Sequence, residues 1–298
     1  MPTSTSDPHP LLLVLGMGYT ASRFVQSHRN MFTRIAATAR QPEKAKALSA
    51  GSIWGIPFDG GEPSSDLLRA AAAASHVLVS IPPRENGDPA LSALGPLLRE
   101  SENLRWIGYL STTGIYGDHH GKWVDEDTPP EPRSDRTKAR LEAEDGWREL
   151  ATERRAVQVF RLSGIYGPGR NSLLDVRNGT AKRLAKPGQI FNRIHVDDIA
   201  AVLATAIRRP QAGPVFNLSD EEPAANEEVV AFAARLLGHD PPPLIAFADA
   251  ELSDMARSFW LESKRVSSKR IGRELGVDLI YPTYREGLLK LLAEGEGQ

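Results

Sequence analysis

An apolar run, Leu11-Leu12-Leu13-Val14-Leu15, leads directly into Gly16-Met17-Gly18-Tyr19-Thr20-Ala21, and a helical pattern follows. A strand, a tight glycine turn and a helix start in that order constrain this chain more than any other feature. Gly16 permits the turn, and Gly18 lets a ligand approach the backbone without a Cβ in the way. Ala21, in the third glycine position, keeps helix and strand close. The helix N-terminus then offers unpaired N–H groups and a partial positive charge. That geometry suits the pyrophosphate of a dinucleotide. The same spacing also occurs as a plain turn in α/β proteins. Here the flanks favour the binding reading, because Ala21, Phe24, Val25 and His28 share one helix face.

Strand and helix patterns alternate through the first half. Strands are expected at Leu11–Leu15, Arg34–Ala39, Ser52–Pro57, His76–Ile81, Leu104–Ser111 and Ala156–Leu162, with helices at about 20–32, 42–50, 64–74, 89–102 and 135–153. This alternation predicts an α/β fold, a Rossmann-type doubly wound parallel sheet, with a smaller C-terminal substrate lobe. Residues 1–10 read as a flexible leader. The sheet domain is expected over 11–163, with contributions from about 190–218, and a mostly helical lobe over 164–298. In that lobe helices are expected at about 172–185, 197–207, 226–237, 249–256, 264–274 and 283–293, and strands at Phe191–His195 and Val215–Leu218.

The formal charge is −2, from 36 basic and 38 acidic residues, so neither nucleic acid nor an anionic membrane is the expected partner. There is no cysteine, which excludes disulfides, thiolate nucleophiles and cysteine-ligated metals. No metal site is expected: Asp118-His119-His120 reads as a surface loop, since adjacent histidines point apart. No signal-peptide pattern and no apolar run near the roughly 20 residues of a membrane span occur, and the expectation is a cytoplasmic protein.

Further segments resemble one family, the extended and atypical short-chain dehydrogenases/reductases, or NAD-dependent epimerase/dehydratase family. They are the glycine turn, Tyr109-Leu110-Ser111-Thr112-Thr113-Gly114-Ile115-Tyr116-Gly117-Asp118, Val124–Pro132, Arg161–Arg170, Asn192–Ala200 and Tyr281–Leu288. They run in family order over nearly the whole chain. The resemblance implies a cofactor held by Gly16, Gly18, Tyr19, Thr20, Ala21, Ser80, Ile81, Pro82, Ser111 and Tyr166, and a reaction centre at Thr112 with Tyr116 near it.

One departure stands out. The family's Tyr-x-x-x-Lys pair should lie on the helix before Leu141-Glu142-Ala143-Glu144, where Arg136 holds the tyrosine position and Arg140 the lysine position. No tyrosine occurs between Tyr116 and Tyr166. Arginine stays protonated and is no ordinary general base. Arg140 is left to hold a ribose or phosphate, and Arg136 to polarise an oxyanion or bind an anionic substrate. Thr112 is the best remaining polar group for a substrate carbonyl, against the plainer reading of a strand-end residue bonding locally. His195-Val196-Asp197-Asp198 reads as a strand residue followed by helix N-cap carboxylates rather than a relay.

The second strand ends Ala36-Ala37-Thr38-Ala39-Arg40, with no carboxylate for a ribose 2′-hydroxyl and a cation at the tip. That favours NADP over NAD. Asp59 reads either as an adenine contact, as in the family, or as a turn residue of Phe58-Asp59-Gly60-Gly61. The expected function is an NADP-dependent oxidoreductase acting on a small carbonyl or hydroxyl substrate. The alternatives are a sugar-nucleotide epimerase or reductase, and a non-catalytic NADP-binding regulator or redox sensor. The resemblance, together with the partly apolar face at Leu141, Trp147 and Leu150, implies a homodimer through the helix at about 135–153 and its neighbour.

Overall fold

The structure is a computed structural model that describes residues 10–211 and 213–297; apart from Pro10, the expected leader lies outside the described residues. In chain order the elements are β1 (Leu11–Leu15), α1 (Tyr19–His28), β2 (Arg34–Ala39), α2 (Pro42–Ala50), β3 (Trp54–Pro57), α3 (Ser65–Ala73), β4 (His76–Val79), α4 (Pro89–Arg99), β5 (Trp106–Thr112), β6 (Trp123–Val124), α5 (Asp135–Arg148) and β7 (Ala156–Leu162). They continue as β8 (Gly164–Tyr166), α6 (Ser172–Arg177), β9 (Arg183–Ala185), β10 (Arg193–His195), α7 (Val196–Arg208), β11 (Val215–Leu218), α8 (Asn226–Leu236), β12 (Leu244–Ala246), α9 (Asp254–Ser258), β13 (Arg265–Val266) and α10 (Tyr284–Ala293). The chain divides into two compact units. The first comprises 1–112, 134–160 and 200–215; the second comprises 113–133, 161–199 and 216–298.

The parallel sheet has the order β11-β7-β5-β4-β1-β2-β3, and the chain of its strands β7 and β11 runs on into segments of the second unit. All five residues of β1 are buried, as an unbroken apolar run demands of a central strand covered on both faces. On one face Leu11, Leu13, Leu15, Val77, Val79, Ile107 and Tyr109 pack with residues of α3, α4 and α5. Alternation then sends Thr112 to the face opposite Tyr109 and Ser111. The helix α5 opens with a capping box, Ser134 and Thr137 exchanging hydrogen bonds. Trp147 and Leu150, which motivated the dimer expectation, are buried in this unit's own core, so they mark the face turned to the sheet.

The second unit holds three parallel strand pairs, β8 with β10, β9 with β12 and β6 with β13. Around Tyr166, Leu173, Val229, Ala233, Tyr284 and Leu288 its helices form a separate core. Three expectations for this region are corrected. The helix expected at 172–185 ends at Arg177, because Asn178 and Gly179, the latter at φ +67°, stop it. The stretch at 249–256 holds a 3₁₀ turn at Phe247–Asp249 and then α9, which starts after the Ser253 cap. Arg265 and Val266 of the expected 264–274 helix pair with Trp123 and Val124 as strand; helical turning starts only at 269 and runs into a π-helix at Ile271–Leu275. Tertiary pairing overrides helical spacing there. Among the described residues no helix is long and apolar enough to cross a membrane.

Candidate functional site

In the first unit the carboxyl ends of β1, β2 and β4 meet at the glycine turn. Gly16 takes φ +95°, and a Cβ there would come within 2.8 Å of Ile81 Cγ1. The turn is pinned from β2: Gly16 N–H donates to Thr38 Oγ1 at 2.8 Å and Met17 N–H to the Thr38 carbonyl at 2.8 Å. Ser80 and Ile81 N–H groups both donate to the Leu15 carbonyl, which draws the β4 loop against the turn. Thr38 is fully buried, and sequence reading passed over it. Its signal was a lone hydroxyl inside the otherwise apolar stretch Ile35–Ala39.

Gly18 differs from Gly16. It is exposed, and a Cβ built on it would meet nothing nearer than Ser80 Oγ at 4.0 Å. It is the N-cap of α1, which has no side-chain cap and no acidic residue in its first turn. An open backbone face before an uncapped helix start is a site where a phosphate completes the helix's hydrogen bonding. Tyr19 is half-buried, whereas Thr20 and Ala21 are buried on the strand side, at 6% and 0% exposure. Ala21 therefore packs, as its place in the motif demands.

Arg40, the first residue beyond β2, is exposed. Asp59 is also exposed, and its Oδ1 accepts the Gly61 N–H at 3.0 Å, the hydrogen bond of an Asx turn. Its carbonyl accepts from the Arg84 side chain. Pro82 and Pro83 follow the Ser80–Ile81 pair without regular structure.

At the end of β5, Thr112 is half-buried. Ser111 is buried and donates its hydroxyl to Glu144 Oε1 of α5 at 2.5 Å, so that group is committed within the protein. Arg140 Nη1 donates to Tyr109 Oη at 3.2 Å and to the Leu110 carbonyl at 3.0 Å. Burial pushes the Tyr109 phenol well above its ordinary range, with Arg140 pulling it back, so it stays protonated at neutral pH. Arg136, one turn earlier, is exposed. Arg140 is thus a cation braced on β5, and neither Tyr109 nor Glu144 was foreseen as a neighbour.

The remaining predicted residues lie in the second unit. Tyr116 is fully buried; its hydroxyl accepts from Arg161 Nη1 at 2.9 Å and donates to Asn217 Oδ1 at 2.8 Å. Burial raises its pKa, against the pull of Arg161. Tyr166 is 8% exposed and packs edge to face on His195 at 5.1 Å; burial raises its pKa too, reinforced by Asp220 and Asp198. Both phenols are held in a core and stay neutral at neutral pH. His195 is buried, with Nδ1 accepting the Asp197 N–H at 3.2 Å. Asp198 accepts N–H groups of Ile280 and Tyr281, tying 280–281 to the start of α7. Asp118 Oδ1 likewise accepts N–H groups of Ser263 and His120.

No protein-family model matches the chain. A conserved protein of unknown function from Silicibacter pomeroyi has a solved structure similar to this one at TM-score 0.85 and 44% identity, covering 96% of this chain and 99% of that one. Protein YeeZ of Escherichia coli K12 is 27% identical over 224 residues, 73% of this chain and 76% of YeeZ. The human epimerase family protein SDR39U1 (isoform 2), solved with NADPH, matches 95% of this chain and 99% of its own at TM-score 0.70 and 18% identity. The chain belongs to one family with the Silicibacter pomeroyi protein, and its fold is that of the extended and atypical short-chain dehydrogenases/reductases, the NAD-dependent epimerase/dehydratase proteins.

Proposed function

We propose that this protein binds a nicotinamide dinucleotide, NADPH in preference to NADH, and works as an oxidoreductase on a small carbonyl or hydroxyl substrate. The observation that carries the reading is the open backbone at Gly18 in front of the uncapped α1. Backbone N–H groups of the first turn would take the pyrophosphate there. Arg40 would take a 2′-phosphate, a charge-assisted contact that a ribose hydroxyl cannot replace. Human SDR39U1, solved with NADPH, supports the choice of cofactor class. When bound, the nicotinamide supplies or accepts a hydride. The protein's part is to hold the substrate oxygen, and Thr112 at the end of β5 is the group assigned to it. Arg140, braced by Tyr109 and Leu110, contributes a fixed positive charge beside that strand end.

A second reading is a non-catalytic NADP-binding regulator. It is favoured by Arg136 and Arg140 in place of the usual pair, and by a Tyr116 hydroxyl already spent on Arg161 and Asn217. Turnover separates the two. In a carbonyl panel with NADPH, the oxidoreductase reading predicts measurable oxidation of NADPH that Thr112→Val lowers by about 10²-fold, the size of losing one oxyanion-type donor. Absence of turnover across the panel, with NADPH still bound, would replace it by the regulator reading.

A further inference from the structure

A cavity of about 370 Å³ lies within the second unit. Ile165, Phe191, Trp260 and Leu288 give it apolar walls. Phe191 and Trp260 pack edge to face with ring centroids 4.8 Å apart, so one wall is aromatic. Among these side chains stands Arg193. Its Nη1 donates to the carbonyls of Phe191 at 3.1 Å and Ala224 at 3.2 Å, and its guanidinium carbon lies 5.8 Å from the centre of the Tyr284 ring. These contacts fix the group while using one of its three nitrogens. Among the described residues Nε and Nη2 have no hydrogen-bond partner and no carboxylate stands within ion-pair distance.

Arg193 is half-buried, and a guanidinium with two nitrogens unspent beside a cavity is a ready partner for an anion. Asp220 is the leading charge that favours protonated Arg193. Burial lowers the Arg193 pKa and raises that of Asp220, to about 8, each against the pull of the other, so burial weakens Asp220 as a counter-charge. The other charged lining residues, Arg170 and Asp175, are of opposite sign. The lining therefore carries one net positive charge, which matches a monoanion better than a phosphate dianion. The planar fork of a guanidinium edge matches a carboxylate in two parallel hydrogen bonds. The volume is in the range of small-ligand sites.

We propose that this cavity binds a small carboxylate with a flat apolar body, the carboxylate on Arg193 and the body against Phe191 and Trp260. The inference stands apart from the dinucleotide reading: the cavity belongs to one unit and its test contains no nucleotide. The experiment titrates the full chain with benzoate and, in parallel, with its neutral isostere benzamide. Binding is read by calorimetry and by the indole N–H resonances of the five tryptophans, Trp260 being assigned with Trp260→Phe. Benzoate should saturate and move the Trp260 resonance, while Trp106 and Trp147, buried in the first unit, stay in place. Benzamide on the native chain, and benzoate on Arg193→Gln, should each bind at least about tenfold more weakly, equivalent to about 1.4 kcal/mol. Should Arg193→Gln not fold, the comparison of the two ligands on the native chain decides alone. Equal affinity for benzoate and benzamide, undiminished binding to a folded Arg193→Gln, or an unmoved Trp260 resonance at about 20 mM benzoate, roughly twentyfold above a millimolar dissociation constant, would overturn the proposal.

Discussion

At the scale of single residues, the chain shows how burial sets protonation. Asp220 is 1% exposed, and its carboxyl rises from 3.8 to about 8 through burial, against the pull of Arg193. Between those two values the folded protein keeps a proton that the unfolded chain has released. The group's contribution to stability is therefore complete below about pH 4 and is lost as pH rises through 8. An asparagine side chain at this position would mimic the neutral acid at every pH. Asp220→Asn should accordingly melt higher than the native protein, by a margin that grows between pH 5 and pH 9 to several degrees, a few kcal/mol at most. Thermal denaturation at pH 5, 7 and 9 measures this. A variant that melts lower at pH 9 would mean that attraction between the carboxylate and Arg193 outweighs desolvation. Such residue-level properties were not legible beforehand. Nothing in the local pattern around Asp220 says that it is buried, because its burial comes from partners far along the chain.

Among elements, the side chain of Asp88 ties two helices together. Its Oδ1 caps α4 by accepting N–H groups of Ala90 at 2.8 Å and Leu91 at 2.9 Å, and its Oδ2 accepts Trp147 Nε1–H of α5 at 3.0 Å. Asp88→Ala removes a cap worth about 1–2 kcal/mol and strands a buried indole N–H at about 1–3 kcal/mol. Urea denaturation should show a loss of about 2–4 kcal/mol, and Asp88→Asn, which keeps one acceptor, should lose less. A loss below about 1 kcal/mol in the alanine variant would show that packing alone docks α4 on α5. The start of α4 was legible, since Asp88-Pro89 is a cap followed by a first-turn proline. The tie to Trp147 was not, because it spans 59 residues. The same division holds elsewhere. The strands β1, β2 and β7 match their expected bounds, because each carries a mainly apolar run of the kind that strands covered on both faces show. Arg265–Val266 was misread as helix, because a two-residue strand carries no period of its own and exists only through β6.

For the whole molecule, the sequence stated the fold plainly and the reaction poorly. The glycine turn with its strand and helix, and the alternation that follows it, specify a parallel sheet, and its carboxyl edge is where the proposal places the ligand. The support for that edge was partly hidden: Thr38, which pins Gly16, reads in sequence as one more residue of a β-prone run. Arg136 and Arg140 were singled out from the sequence alone, whereas the bracing of Arg140 by Tyr109 and the commitment of Ser111 to Glu144 needed coordinates. The central claim is that the edge at Gly18 and Arg40 binds a nicotinamide dinucleotide and selects its phosphorylated form. The most direct measurement is the ratio of NADPH to NADH dissociation constants for the native chain and for Arg40→Asp, by calorimetric titration at one ionic strength. A charged hydrogen bond to phosphate is worth about 1.5–3 kcal/mol. The account predicts that the native chain binds NADPH more than tenfold more tightly, and that Arg40→Asp reverses the order. Equal affinities in the native chain, or a preference that Arg40→Asp leaves intact, would contradict it.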